Sequence, residues 1–120
     1  MTRLIKISIA SVFFFATSLA LACEYPARPS IPNGATASKD DLLAAKTNVQ
    51  DFIAKVDEYL TCIEAAAVAE RDSLTQEELQ RADEMLDKRF AAANDEKALV
   101  GEQFNQQVRA YNAKLKENKE

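Results

Sequence analysis

The stretch AAAVAERDSLTQEELQ, residues 65–80, decides the fold. A helical spacing of apolar residues arrives from the N-terminal side and stops near Arg71. Asp72-Ser73 follows, and then Thr75 and Glu78 make a Thr-x-x-Glu capping box, the signature of a fresh helix N-terminus. The connection is only about three residues long, so the two helices are expected to lie antiparallel as an αα-hairpin.

Downstream of that start, Leu79, Ala82, Leu86, Phe90, Ala93, Lys97, Val100, Phe104, Val108, Tyr111 and Leu115 fall on one stripe with a mean step of about 3.6. This predicts a nearly straight helix over 76–117. Lys97 interrupts the stripe, and Asn94-Asp95 and Gly101 make a break there an open alternative. The polar end, 114–120, is expected to fray.

Upstream, Leu42, Ala45, Val49, Phe52, Val56, Tyr59, Ile63 and Ala66 recur at alternating steps of three and four, the period of a coiled-coil seam. Ile53, Leu60 and Ala67 widen the stripe on one side. A helix over 39–71 is expected, opened by Ser38 and Asp41 as a capping box with Asp in place of Glu. At 1.5 Å per residue the helices measure about 50 and 63 Å. The second is therefore expected to overhang the first by about two turns at its C-terminal end, exposing Tyr111 and Leu115 unless the segment before the first helix covers them.

That segment, 23–37, holds all three prolines and one of the two glycines. Pro26, Pro29 and Pro32 are spaced by one turn of polyproline II, so they face one way. From Cys23 to Asn33 the strap covers about 31 Å, and from Asp40 to Cys62 the helix covers about 33 Å. With a reversal at Asn33-Gly34, the strap runs back along the first helix and delivers Cys23 to Cys62. A bridge there closes a loop of about forty residues, worth roughly 4 kcal/mol by chain entropy.

Residues 1–22 read as a secretory leader. Arg3 and Lys6 precede an apolar run from Ile7 to Leu19, and Ala20-Leu21-Ala22 fits the small-residue cleavage pattern, with the cut between Ala22 and Cys23. The run is too short for a membrane span of about 20 apolar residues. Cleavage leaves 98 residues with 13 basic and 19 acidic side chains, a net charge of −6. A periplasmic or secreted location follows, without membrane attachment after cleavage. An even cysteine count in an exported chain implies the Cys23–Cys62 disulfide. The alternative is a lipid anchor on Cys23, although Ala20 stands where a lipobox wants a large aliphatic residue, and Cys62 would be left as an odd thiol.

The negative charge argues against nucleic acid and anionic membranes as partners. There is no histidine, so no zinc or haem site of ordinary type and no cofactor is expected. Carboxylates such as Asp57, Glu58, Asp83 and Asp87 are spaced for ion pairs along solvated helix faces. Without a base beside a nucleophile, no catalytic residue is assigned and an enzyme is not expected.

Cys23, Pro26, Ile31-Pro32-Asn33-Gly34, Ala35-Thr36 and Tyr59-Leu60-Thr61-Cys62 together resemble small exported bacterial proteins of unassigned function. The resemblance covers about the first 40 mature residues; it implies secretion and the staple and brings no activity. TQEELQ, 75–80, resembles the short Leu-Thr-x-x-Gln motifs of periplasmic helical stress chaperones, over a few residues that coincide with the capping box. The expected fold is all-α, a strap pinned to a long hairpin, with enough apolar stripe left over for a homodimer. The expected role is an interaction or structural protein whose protein partner is unknown, with a chaperone-like holdase as the alternative.

Overall fold

The computed structural model describes residues 23–120, and the leader with its Ala22–Cys23 cleavage point lies outside them. Two helices make up most of the described chain: α1, Lys39–Glu70, and α2, Gln76–Glu117, joined through a 3-10 turn at Arg71–Ser73. Both capping boxes close. The Asp41 amide donates to Ser38 Oγ at 3.1 Å and the Ser38 amide to Asp41 Oδ2 at 2.9 Å. The Glu78 amide donates to Thr75 Oγ1 at 3.3 Å and the Thr75 amide to Glu78 Oε2 at 2.8 Å. Each box satisfies helix-end donors that have no partner within the helix.

The helices lie antiparallel. Arg71 grips Asp83 with both guanidinium nitrogens, at 2.7 and 3.3 Å. Lys97 Nζ meets Asp57 Oδ1 at 2.5 Å, and Lys114 Nζ reaches the Ala37 carbonyl at 3.2 Å. These three ties correct the expected overhang. Lys114 is level with the residue before the α1 cap, so α2 does not run two turns past the strap end. Arg71, just beyond α1, is level with the eighth residue of α2, so the two spare turns, Gln76–Asp83, rise past α1 at the connection instead. The 3-10 turn and the two residues after it, 71–75, link the end of α1 to this raised start of α2.

The core is a single seam of Val49, Phe52, Val56, Leu60, Ile63, Ala93 and Val100, in which Val56 and Val100 are fully enclosed. On α1 the buried series runs Leu42, Ala45, Val49, Phe52, Val56, Leu60, Ile63. It departs from the expected stripe after Val56, where Leu60 takes the centre and Tyr59 turns to the flank. Ala66 is exposed and Ala67 half-buried. A straight helix drifts by about 20° per heptad against a 3.5 repeat, and that drift moves the seam one residue round. On α2 the expected stripe is half-buried or better from Leu79 to Tyr111, while Leu115 stays 39% exposed. The strap's turn covers the Lys114 side, and Leu115 lies about 100° further round the helix.

No break occurs at 94–101, and α2 is continuous through Asn94, Lys97 and Gly101. Lys97 stays within the stripe because its ammonium spans the seam to Asp57, leaving its stem against the core.

Candidate binding clefts along the strap

The strap is extended from Cys23 to Pro32 and reverses over Asn33–Ala37. The Ala37 amide donates to the Asn33 carbonyl at 2.8 Å, and the Ala35 amide to Asn33 Oδ1 at 3.0 Å. Gly34 is buried here. Its amide donates to Gln107 Oε1 at 2.9 Å, and a Cβ on it would stand 1.8 Å from the Gln107 carbonyl oxygen. Its φ is not positive, so glycine serves close approach at this turn and not a left-handed backbone.

Cys23 and Cys62 are joined by a disulfide with Cα atoms 5.7 Å apart, within the ordinary range for a bridge. Cys23, Pro26, Pro29 and Pro32, three residues apart, are all half-buried, whereas Glu24, Tyr25, Ala27, Arg28 and Ser30 are exposed. That is the threefold facing expected of polyproline II. The strap, however, does not run along α1 alone. Arg28 donates to Gln103 Oε1 of α2 at 2.6 Å and pairs with Glu96 at 3.3 Å. Ile31 packs against the seam, and Gly34 meets α2 at Gln107. The strap therefore lies over the groove between the helices and touches both.

Tyr25 lies between the two inward-facing positions Cys23 and Pro26. Its ring stands edge-on to Tyr59, with centroids 5.0 Å apart at 83°, and to Phe52 at 6.4 Å and 76°. The Tyr25 hydroxyl holds its proton more tightly than an ordinary tyrosine, first because of burial and then because of the nearby Glu96 carboxylate and Tyr59. The ring is nonetheless 42% exposed. It forms one wall of a cleft of about 650 Å³ between strap and α1, lined also by Glu24, Pro26, Pro29, Asp51, Lys55, Glu58 and Tyr59.

A second cleft, of about 370 Å³, begins where the strap ends at Cys23 and runs towards the connection. Ile63, Leu74, Leu79, Ala82, Met85 and Leu86 line it, with Glu70, Arg71, Asp83 and Arg89 among its polar groups. It exists because α2 rises past α1 without a third element beside it. Among the described residues, no three Cys, Asp or Glu side chains gather as a metal site.

Of the residues singled out in the sequence, Cys23 and Cys62 are brought together, and Ala22 lies outside the described residues. Tyr25, Arg28, Glu96, Gln103 and Gln107 were not singled out as a group. The facing of Tyr25 follows from the period of three, but nothing in spacing alone says which α2 residues the strap meets. No family model, curated protein or solved structure matches the chain.

Proposed function

We propose that the chain from Cys23 onward is an exported helical interaction module, working in the periplasm or outside a bacterial cell without its own catalytic chemistry. The observation that carries this reading is the Cys23–Cys62 bridge, a bond that persists in oxidising compartments. No described helix is long and apolar enough to cross a membrane, in keeping with a mature chain held by partners and not by a span of its own. A lipid thioether on Cys23 would need the same Sγ that the bridge uses, so the two states exclude one another in any one molecule. The test is cell fractionation followed by intact mass measurement. The expected product begins at Cys23, is two hydrogens lighter than the dithiol and carries no acyl mass. A cytoplasmic, uncleaved or diacylated product overturns the reading.

The cleft beside Met85 supports a second reading, a holdase that shelters unfolded chains. Met85 is exposed, and methionine adapts to varied apolar partners. Suppression of the aggregation of a reduced model substrate at equimolar protein supports the holdase, and unaltered aggregation leaves the interaction module.

A further inference from the structure

The cleft between the strap and α1 has the chemistry of a peptide groove. Three of its features point the same way. Its walls are aromatic and prolyl: Tyr25, Tyr59, Pro26 and Pro29. Its charged lining comprises Glu24, Asp51 and Glu58 against a single cation, Lys55, which is already paired to Asp51 at 2.7 Å. Glu24 and Glu58 are exposed and form no salt bridge among the described residues. The third feature is the strap itself. The reversal bonds begin at Asn33, and from Glu24 to Pro32 the extended backbone makes no backbone hydrogen bond among the described residues. The prolines have no amide proton, and the remaining amides and carbonyls of this segment pair with no backbone group among the described residues.

We infer that this cleft binds an extended, lysine-bearing segment of another protein, which lies along the strap with an ammonium group set against Tyr25 and between Glu24 and Glu58. An extended segment whose backbone groups pair with no other backbone can recruit another extended chain, and aromatic and prolyl walls suit a segment that needs little ordering to be straight. Tyrosine faces attract an ammonium group, and unpaired carboxylates at the rim add attraction and selectivity for charge. A small free amine would use the charge but not the backbone groups, whereas an acidic segment would meet like charge on three sides.

This inference rests on the interaction-module reading and names one surface and one partner chemistry for it. The probes are fluorescein-labelled nonapeptides of proline and lysine in alternation, the same peptides with norleucine or glutamate for lysine, and spermidine as a competitor. Binding to the full mature, oxidised protein is followed by anisotropy. The lysine peptide is expected to bind saturably, about tenfold or more tighter than the norleucine peptide, a difference of about 1.4 kcal/mol. The glutamate peptide should not bind, and spermidine should compete only weakly. Glu58→Gln, an exposed change that leaves the packing intact, should weaken binding several-fold and lessen its salt dependence. Tyr25→Ala should weaken it further, with helical content by circular dichroism checked alongside. Equal binding of lysine and norleucine peptides, full displacement by stoichiometric spermidine, or an unchanged affinity in Glu58→Gln each overturns the proposal. Those failures leave the module reading standing, because it falls on cell location and processing instead.

Discussion

Gly34 and Gly101 are the only glycines in the chain, and their surroundings assign them opposite roles. A methyl on Gly34 would collide with the Gln107 backbone, and backbone cannot swing aside as the end of a side chain can. Gly34→Ala is therefore expected to lift the strap's turn off α2 and cost about 1–3 kcal/mol. Around Gly101 an added Cβ meets nothing within 4 Å, so Gly101→Ala should stabilise α2 by about 0.5–1 kcal/mol, through the helical preference of alanine over glycine. Urea denaturation of the two variants checks both signs, and a neutral Gly34→Ala would show that the turn is not held against α2. The carboxylates of the capping boxes make a pH-dependent contribution at the same scale. Hydrogen bonds from the Thr75 amide and hydroxyl hold the Glu78 carboxyl below the usual range, and Ser38 does the same for Asp41. A carboxyl with a lowered folded pKa stays ionised while the unfolded chain takes up its proton. The stability it contributes is thus complete above about pH 5 and is lost as pH falls below about 4. Thr75→Ala is expected to cost about 1 kcal/mol at neutral pH and to flatten the acid side of a stability–pH profile. An unchanged acid side would mean that the box is not formed in solution.

At the scale of elements, the two helices and the strap are held by different means. The helices carry the seam and three cross-links of charge and hydrogen bonding, at Arg71–Asp83, Asp57–Lys97 and Lys114–Ala37. Exposed ion pairs of this kind add little each, so the burial of Phe52, Val56, Leu60, Ala93 and Val100 holds the hairpin together. The strap makes fewer apolar contacts and depends on its ends: the disulfide at one and the Gly34–Gln107 contact at the other. Cys62→Ser, or reduction, should lower stability by roughly 4 kcal/mol, the chain entropy that the forty-residue loop regains. It should also open 23–29 to proteolysis while 33–37 stays anchored by its turn bonds. Thermal denaturation with and without reductant checks the first part, and equal melting temperatures would contradict it. The starts of both helices were legible in Ser-x-x-Asp and Thr-x-x-Glu because a capping box is a local hydrogen-bonding solution, made by residues three apart. The continuity of α2 through Lys97 and Gly101 was the expected reading of its 3.6-residue stripe, with a break as the alternative; the partner of Lys97 was not legible. That pairing is long-range, since the Lys97 ammonium finds Asp57 forty residues earlier in the chain.

For the whole molecule, the placement of the strap makes the two sides of the hairpin unequal. Phe52, Tyr59 and Glu96 lie on the strap's side, by their contacts with Tyr25 and Arg28. Asp57 and Lys97 bridge the helices on the other side, where Ile53, Phe90 and Phe104 are only half-buried. A two-helix chain with one face covered has an apolar flank to spare. The expected consequence is a homodimer through this uncovered side, pairing two hairpins into a four-helix arrangement. Size-exclusion chromatography with light scattering at micromolar concentration should show twice the chain mass, reduced to one by Phe104→Glu. A monomer at that concentration removes the dimer from the account.

By itself the sequence determined the helices, their starts, the antiparallel hairpin, the threefold facing of the prolines and the pairing of Cys23 with Cys62. Each of these depends on near neighbours along the chain or on matching two lengths, one of strap and one of helix. Only the tertiary structure decided that the seam passes through Leu60 and not Tyr59. The same is true of the spare turns of α2 standing at the connection, and of the strap resting on both helices through Arg28, Gly34 and Gln107. Those features turn on rotation and sliding of packed elements, to which a periodic stripe is indifferent. A shift by one turn or a drift of a few tens of degrees keeps the same residues apolar and changes which neighbours they meet.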